Sequence, residues 1–220
     1  MFIGYFNNVS LSPMKKLETG FYNRADVVKI AKELIGKVLV TQFGEVVTSG
    51  RIVETEAYAG AIDRASHAFN NRRTNRTEVM FQPGGVAYVY LIYGIHHLFN
   101  VVTNLKDTPH AILIRALDPI RGINTMLERT GKHRVDYTLT KGPGNVSKAL
   151  GIYTWHTGLS LLGDEIYIAE DDFVVAKKDI IATPRIGVDY AGEDAKLPYR
   201  FILKDNPYVS GKKAENAWKA

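Results

Sequence analysis

Two acidic residues and a tyrosine alternate along one short stretch, Arg51–Tyr58, whose other residues are mostly apolar or β-branched. If this stretch is a β-strand, its side chains alternate between two faces, and Glu54, Glu56 and Tyr58 share one of them. Ile52 is expected on that same face. Charged residues usually stay in water, so a solvated sheet face is one interpretation. The other is a carboxylate at a strand end that acts as a general base and deprotonates water.

Tyrosines cluster in a second stretch, where Tyr88 and Tyr90 alternate within Val86–Ile92 and Tyr93-Gly94 follows directly. The Tyr93-Gly94 pair is typical of a β-hairpin tip. Aromatic residues two apart in a strand usually pack in the core or against a neighbouring strand. A hairpin tip cannot bury its own tyrosine, so Tyr93 is expected to contact a partner. One physical use of such a ring is as a wedge between the base steps of a nucleic acid duplex.

Basic residues also favour a polyanionic partner. The segment Asn70–Arg76 carries three arginines and no acid, so it is either a solvated loop or a phosphate-binding segment. The net charge is +5, but residues 157–194 contain nine Asp and Glu against three Lys and Arg, a net of −6. The rest of the chain therefore carries +11. Such a polarised charge distribution is what a one-sided nucleic acid surface needs.

Several kinds of chemistry are excluded by composition and spacing. The chain has no cysteine, which removes disulfides, thiol nucleophiles, thiolate zinc sites and iron–sulfur clusters. His96 and His97 are adjacent and would point to opposite faces of a strand, so no metal site is expected. No lysine occurs between Arg51 and Leu105, so a nucleophile in that stretch is expected to be water activated by a carboxylate rather than a Schiff-base amine.

The same features bear on location. No apolar run is long enough to span a membrane, and the first residues lack the pattern of a signal peptide. Together with the absence of cysteine, this predicts a cytoplasmic protein without a membrane partner.

Hydrophobic periodicity predicts the elements that would position these residues. A helix capped by Asn23 is expected over Arg24–Ile35, with apolar residues at i, i+3, i+4 and i+7 on one face and Gly36 as its stop. A turn is expected at Gly44. The first predicted strands are Lys37–Phe43, Val46–Tyr58, Val86–Ile92, Ile95–Thr103 and His110–Leu117.

In the second half, Pro119 is predicted to open a helix that runs to about Thr130, with Asp118 as its cap. A further helix is expected at Asn145–Leu150. The strand–helix alternation of a doubly wound fold is missing, and neither a G-x-G-x-x-G nor a P-loop pattern occurs. The fold class is therefore α+β, a single domain with a mostly antiparallel sheet and helices against it. The last predicted strands are Ile166–Ala169, Phe173–Ala176, Arg185–Val188 and Phe201–Leu203.

An ordered series of motifs extends over about residues 20 to 210. It comprises the run Arg51–Gly60, His67, Met80-Phe81, Pro83-Gly84, Tyr88-Val-Tyr90, Tyr93-Gly94, Asn100, Arg115–Pro119, Gly142-Pro143, Arg185–Val188 and Ala191-Gly192-Glu193. In this order and spacing, the series resembles the alkyladenine DNA glycosylase family, the 3-methyladenine DNA glycosylases of the methylpurine type.

The resemblance implies a curved sheet, similar to the C-terminal domain of formyltransferases. It implies a cofactor-free base-excision repair enzyme that flips alkylated or deaminated purines out of duplex DNA. Such an enzyme hydrolyses the N-glycosidic bond and leaves an abasic site. Its substrates would be 3-methyladenine, 7-methylguanine, hypoxanthine or ethenoadenine. The partner would be double-stranded DNA, bound by a monomer at the nucleoid of a prokaryote or in the nucleus of a eukaryote.

The resemblance also implies a role for individual residues. Glu56 matches the general base and Arg115 the arginine that holds the water. The base pocket would consist of Tyr58, Ala65, His67, Tyr90 and Asn100, with the backbone of Ala65 and His67 at the purine edge and Asn100 crowding the 2-amino group of guanine. The DNA contacts would be Arg72, Thr74 and Arg76 on phosphates, Tyr93 as the wedge and Ile95 beside it.

Two other classes of protein remain open from the residues alone. One is a non-enzymatic module that binds damaged DNA or RNA through the same pocket. The other is a formyltransferase-like domain detached from a catalytic partner, which would give Glu56 no special role. The combination of carboxylate, tyrosines, histidine and arginine argues against the second. The expected organisation is an N-terminal extension over residues 1–19, a glycosylase domain over 20–210 and a C-terminal tail over 211–220.

Overall fold

The β-branched and apolar runs of the sequence form the long strands at the centre of the fold. The computed structural model describes residues 14–211 of the chain. Its strands are β1 (Lys15–Lys16), β2 (Val38–Phe43), β3 (Val46–Tyr58), β4 (Val86–Ile92), β5 (His96–Thr103), β6 (His110–Arg121), β7 (Ile166–Glu170), β8 (Ile180–Thr183) and β9 (Arg200–Leu203), and its α-helices are α1 (Thr19–Tyr22), α2 (Val27–Leu34), α3 (Ile123–Thr130) and α4 (Pro143–Leu150).

All strands join one antiparallel sheet in the order β1-β7-β2-β3-β6-β5-β4, while β9 pairs with both β3 and β8. The sheet curls into a half-barrel. The longest strand, β3, therefore lies at its centre, with β6 along one side and β2 followed by β9 along the other. These features confirm the α+β prediction of a single domain with a curved, mostly antiparallel sheet. The likeness to a formyltransferase domain stays a prediction.

Helix α2 fixes the back of the central strand. Its predicted apolar face is confirmed, because Val27, Ile30, Ala31 and Leu34 are all buried in the main core. The Thr55 hydroxyl of β3 donates a hydrogen bond to the Ala31 carbonyl oxygen over 2.9 Å. The acidic residues that flank Thr55 in sequence must therefore face the other side of the sheet.

Two predicted helix starts are wrong. Helix α2 begins after Asp26, whose carboxylate accepts from the Lys29 backbone N–H, while Asn23 instead ends α1. No helix begins at Pro119, because β6 stays paired with β3 as far as Arg121. β5 covers β6 only over residues 110–113, so Pro119 lies where β6 has a free side, the place where a strand tolerates proline.

Two predicted strands are also wrong. Phe173–Ala176 is not a strand: the Phe173 N–H donates to the Asp171 carboxylate rather than to a neighbouring strand, and Phe173 and Val174 are exposed. The Phe173 ring lies 4.0 Å from the Arg51 guanidinium carbon. Arg185–Val188 is a loop, because Gly187 has φ +74° and the Ile186 N–H donates to a side chain rather than to a strand. The other predicted strands and the Asn145–Leu150 helix are confirmed to within a few residues, while β1, α1 and β8 were missed.

Most of the predicted N-terminal extension and C-terminal tail lies outside the described residues, since only positions 14–19 and 211 of those two segments fall within 14–211. Within that described range, no helix is both long and apolar enough to cross a membrane.

We expect Asp26→Ala to lower the free energy of unfolding by about 1 kcal/mol, because it removes the N-cap hydrogen bond of α2. Asp26→Asn keeps an acceptor at the same place and serves as the matched control, with a much smaller loss. Urea denaturation followed by circular dichroism measures both. Equal stability of the alanine variant and the wild type would contradict this assignment of the cap.

Candidate active site

Glu54 and Glu56 share one face of β3 because side chains alternate along a strand, and a β-bulge just before Glu54 places Ile52 on the opposite face. The register with β6 shifts between Ile52 and Glu54, so Ile52 points into the main core with Ala57. The prediction that Ile52 shares the glutamate face is therefore wrong. Glu54 and Glu56 are both fully buried, which also excludes the solvated-face interpretation.

Glu54 is the most heavily hydrogen-bonded carboxylate of the site. It accepts from Arg115 Nε over 2.9 Å, from Arg200 Nε over 2.7 Å, and from the Ser210 N–H and hydroxyl over 2.6 and 2.9 Å. Burial alone raises its pKa, but the two guanidinium groups and the Ser210 N–H outweigh that effect and hold the pKa below its ordinary value. Glu54 is therefore a fixed anion.

Glu56 has a different set of donors. Its Oε2 accepts from the Tyr58 hydroxyl over 2.9 Å and from Arg115 Nη1 over 3.2 Å, and its Oε1 accepts from the Ile186 N–H over 2.8 Å. Burial, followed by the charge of Glu56, raises the Tyr58 pKa well above its ordinary value, so this hydroxyl stays protonated and donates. Glu56 thus lies in a polar, charged setting that orients both of its oxygens.

Arg115 of β6 bridges the two carboxylates. Burial lowers the pKa of its guanidinium, but Glu56 and Glu54 more than compensate and raise it. The Arg115 side chain is 9% exposed and both glutamate side chains are 0% exposed, so the three charges interact with little screening by water.

An open cavity of about 610 Å³ lies in front of these charges. Its size is within the range of roughly 300–1,000 Å³ typical of small-molecule sites. Of the residues singled out in the sequence, its lining includes Tyr58, Ala65, His67, Arg76, Tyr90, Tyr93, Asn100 and Arg115. Glu56 lies behind this wall, in contact with Tyr58 and Arg115.

The aromatic wall of the cavity is held together through His67. Its Nδ1 is 2.8 Å from the Tyr88 hydroxyl, and its ring is 4.7 Å from that of Tyr90, edge to face. The Arg76 guanidinium carbon lies 4.8 Å from the Tyr90 ring centre, and Arg76 Nη2 is 3.3 Å from His67 Nε2. Burial, and then the charges of Arg76 and Arg72, lower the pKa of His67 to about 4. The imidazole is therefore neutral at pH 7.

Asn100 and Ala65 are buried wall residues whose polar groups have protein partners. The Asn100 amide donates to the Tyr88 and Leu98 carbonyl oxygens over 3.2 and 3.1 Å, which fixes the side chain. The Ala65 N–H donates to Asp63, and its carbonyl accepts from the Tyr190 hydroxyl. The predicted contact of this backbone with a purine edge is not tested by these bonds and stays a prediction.

The β4–β5 hairpin carries Tyr93 away from the body of the protein. Tyr93 and Gly94 both have positive φ, +53° and +72°, which is the geometry of a type I′ turn. Tyr93 is 85% exposed and Ile95 is 71% exposed. The predicted hairpin tip is confirmed, and the aromatic ring protrudes at the rim of the cavity.

The arginine-rich segment forms a second, smaller cavity of about 390 Å³ beside the first. Arg72, Thr74 and Arg76 line it, and it shares His67 and Arg76 with the larger cavity. Arg73 points elsewhere and pairs with Glu78 and Asp107. Arg73 therefore belongs to surface ion pairs, whereas Arg72 and Arg76 form a basic rim around the smaller cavity.

Several residues of the site were not found from the sequence. Arg200 and Ser210 bind Glu54, and a buried ion pair joins Arg185 to Asp63. Arg185 also lies 4.8 Å from the Tyr58 ring centre. These partners are more than 120 positions apart along the chain, so no local spacing connects them. Among these residues, only Arg185 belonged to a motif noted in the sequence, the Arg185–Val188 run.

No metal centre is found among residues 14–211, where no three His, Cys, Asp or Glu side chains come together as a possible ligand set.

We expect the pKa of His67 to be near 4 in the wild type and to rise in Arg76→Gln, because removal of a neighbouring positive charge favours the imidazolium. Burial remains, so the rise is partial. Arg73→Gln is the matched control and should leave this pKa unchanged. Titration of the imidazole by NMR measures all three. A wild-type pKa near 6.5, or equal values in wild type and Arg76→Gln, would contradict the described packing.

Comparison with known proteins identifies the family of the chain. The model of the family described as methylpurine-DNA glycosylase matches residues 20–207. Three relatives carry the name "Putative 3-methyladenine DNA glycosylase". The one from Alkaliphilus oremlandii is 45% identical over 90% of this chain and 100% of its own, that from Clostridium perfringens strain 13 is 42% identical over the same shares, and that from Chlamydia felis is 45% identical over 85% and 95%. The chain therefore belongs to the methylpurine-DNA glycosylase family.

Proposed function

We propose that the protein is a DNA glycosylase that hydrolyses the bond between an alkylated purine, above all 3-methyladenine, and its deoxyribose. The observation that carries the proposal is the buried Glu56, hydrogen-bonded to Arg115 and Tyr58 directly behind an aromatic cavity of about 610 Å³. Family membership and the names of the relatives support the same activity. Deaminated and etheno-modified adenines are further proposed substrates.

Base flipping is needed because the glycosidic bond of a stacked nucleotide cannot reach a buried carboxylate. Tyr93 is the proposed wedge, since its exposed ring stands at the hairpin tip on the rim of the cavity. Ile95 supports it on the same tip. Arg72, Thr74 and Arg76 would contact phosphates of the flipped strand, because they line the adjoining basic cavity. Double-stranded DNA is the proposed partner, bound by a monomer.

The flipped base would be bound by aromatic faces. Tyr58, His67 and Tyr90 offer rings that attract an electron-poor, often cationic, alkylated purine. A neutral His67 is suited to this, because it adds no repelling charge. Asn100, held rigidly by two carbonyl oxygens, would crowd the 2-amino group of an undamaged guanine.

Bond cleavage follows from the placement of the charges. As the bond to C1′ breaks, its electron pair leaves with the base and the sugar becomes oxocarbenium-like. The electron pair neutralises the positive charge of an alkylated purine, whereas an uncharged purine takes up a proton from solvent as it leaves. Water held by Arg115 and Glu56 adds its oxygen to C1′, and its proton goes to Glu56. The carboxylate also stabilises the developing positive charge on the sugar. The described residues that line the cavity include no lysine, which favours hydrolysis over a Schiff-base route.

A panel of duplexes, each with one modified purine, tests the proposed function. After incubation, alkali cleaves the strand wherever an abasic site has formed. Excision of 3-methyladenine or another alkylated purine is the expected result. Tight binding of the lesions without release of any base would instead favour the non-enzymatic damage-binding module.

We expect Glu56→Gln to reduce the excision rate by about 100-fold or more, because the amide fills the same space but takes no proton. Binding of a lesion-containing duplex should change little. Glu45→Gln, in the exposed turn before β3, is the matched control and should retain full activity. Single-turnover kinetics and fluorescence anisotropy measure the two quantities. Normal turnover by Glu56→Gln would rule out this carboxylate as the base.

Tyr93→Ser should lower excision from a duplex by about tenfold or more, because a flipped nucleotide loses the ring that fills its place in the stack. A single-stranded substrate with the same lesion needs no wedge and is the internal control. The ratio of the two excision rates is the quantity to measure. Equal losses on both substrates would contradict a wedge role.

A further inference from the structure

The segment after β9, residues 206–211, closes the back of the candidate active site. The Asn206 side-chain amide donates to the Asp118 carboxylate, and the Pro207 carbonyl accepts from Lys141 Nζ. The Tyr208 ring packs edge-on against Tyr137, with 5.4 Å between ring centres. The bond to Asp118 ties the segment to β6, the strand that carries Arg115, and the contacts with Lys141 and Tyr137 tie it to the chain before α4. Ser210 is thereby brought to the buried charges.

Ser210 makes four hydrogen bonds to three charged side chains. Its N–H and hydroxyl both donate to Glu54, and its carbonyl oxygen accepts from Arg200 Nη2 over 2.7 Å. Its hydroxyl oxygen also accepts from Arg115 Nη2 over 3.2 Å. A hydroxyl that donates to a carboxylate and accepts from a guanidinium at once has a single orientation. Ser210 is only 8% exposed, so water has little access to replace it.

The three nitrogens of Arg115 thus have one partner each. Nε donates to Glu54, Nη1 to Glu56 and Nη2 to Ser210. The bond to Glu56, at 3.2 Å, is longer than the 2.9 Å bond to Glu54. If the hydrogen bond from Nη2 to Ser210 is lost, the guanidinium plane can rotate while Nε stays bonded to Glu54. The Ser210 hydroxyl therefore opposes that rotation together with the Glu56 carboxylate.

Gly211, the residue after Ser210, packs against Ile186, whose N–H binds the other carboxylate oxygen of Glu56. Gly211 lies so close to Ile186 that a Cβ atom placed on it would be 2.8 Å from the Ile186 Cδ1 atom. Ile186 provides the N–H that binds Glu56 Oε1. The segment therefore contacts the supports of both Glu56 oxygens, Arg115 through Ser210 and Ile186 through Gly211.

We propose that Ser210 is a positioning residue for the excision reaction. Through its side-chain hydroxyl, it keeps the Arg115 guanidinium oriented toward Glu56. The inference rests on the proposed function of the same site. Residue 210 lies beyond the 20–207 span matched by the family model, so the match does not assign it.

The test compares Ser210→Ala, Ser210→Thr and wild type. Ser210→Ala keeps the backbone bonds to Glu54 and Arg200 and loses only the hydroxyl, so the fold is expected to persist. Its single-turnover excision of 3-methyladenine should fall by about tenfold, because small misplacements of catalytic groups are costly. The dissociation constant for lesion-containing duplex should stay within about twofold, since this residue does not line the cavity. Ser210→Thr restores the hydroxyl and should restore most of the rate.

Tyr208→Phe is the control in the same segment and should excise at the wild-type rate. Full activity of Ser210→Ala would overturn the positioning role, as would equal slowing of Ser210→Ala and Ser210→Thr, which would indicate packing rather than the hydroxyl. Loss of DNA affinity in place of rate would contradict it too. A wild-type protein that releases no alkylated purine at all would instead overturn the proposed function, and this inference with it.

Discussion

The buried cluster of Glu54, Glu56, Arg115 and Arg200 is the constraint on which the rest of the site depends. Each ion loses its hydration on folding, at a cost of several kcal/mol that only close opposite charges and complete hydrogen bonding offset. The cluster contains two carboxylates and two guanidiniums, so its formal charge is zero. Removal of one partner would leave a buried charge unpaired, which costs about 3–5 kcal/mol in comparable cases. The four residues must therefore be placed together.

Four parts of the chain meet to satisfy that requirement. β3 supplies both glutamates on one face, β6 supplies Arg115, β9 supplies Arg200, and the segment after β9 supplies Ser210. On the opposite face, α2 packs against β3 through Thr55 and leaves the strand little freedom. A second buried pair, Asp63 with Arg185, joins two loops beside Tyr58 and carries Ile186 to Glu56. The result is a rigid cluster of charged side chains behind an open cavity with an aromatic wall.

The division between rigid and accessible parts suits the proposed chemistry. Glu56 receives three hydrogen bonds and is inaccessible from the surface, whereas Tyr93 and the basic rim are open to solvent. A nucleotide would reach the carboxylate only by leaving the duplex. The fold thus combines an exposed rim with buried charges behind the cavity, an arrangement that suits the proposed reaction.

Local signals were enough to predict part of this arrangement. Alternation in Arg51–Tyr58 and Val86–Ile92 predicted the strands, and Tyr93-Gly94 predicted the hairpin tip, because these patterns depend on neighbouring residues alone. The bulge that turns Ile52 into the core could not be predicted, since it arises from pairing with β6. Arg200 and Ser210 lie 146 and 156 positions from Glu54, and only the folded sheet brings them together. Pro119 suggested a helix because proline often occupies the first helical position. That it lies instead on a free side of β6 is a property of the sheet and cannot be seen in the sequence.

In the proposed reaction, a carboxylate-activated water, and no amine of the protein, cleaves the bond to the purine. Duplex DNA with radiolabelled N-methylpurines, incubated with the protein in the presence and absence of borohydride, tests it most directly. Release of free 3-methyladenine, with the strand intact until alkali is added and no protein trapped on DNA, is the predicted result. A covalent protein–DNA adduct in borohydride, or no release of base, would contradict the account.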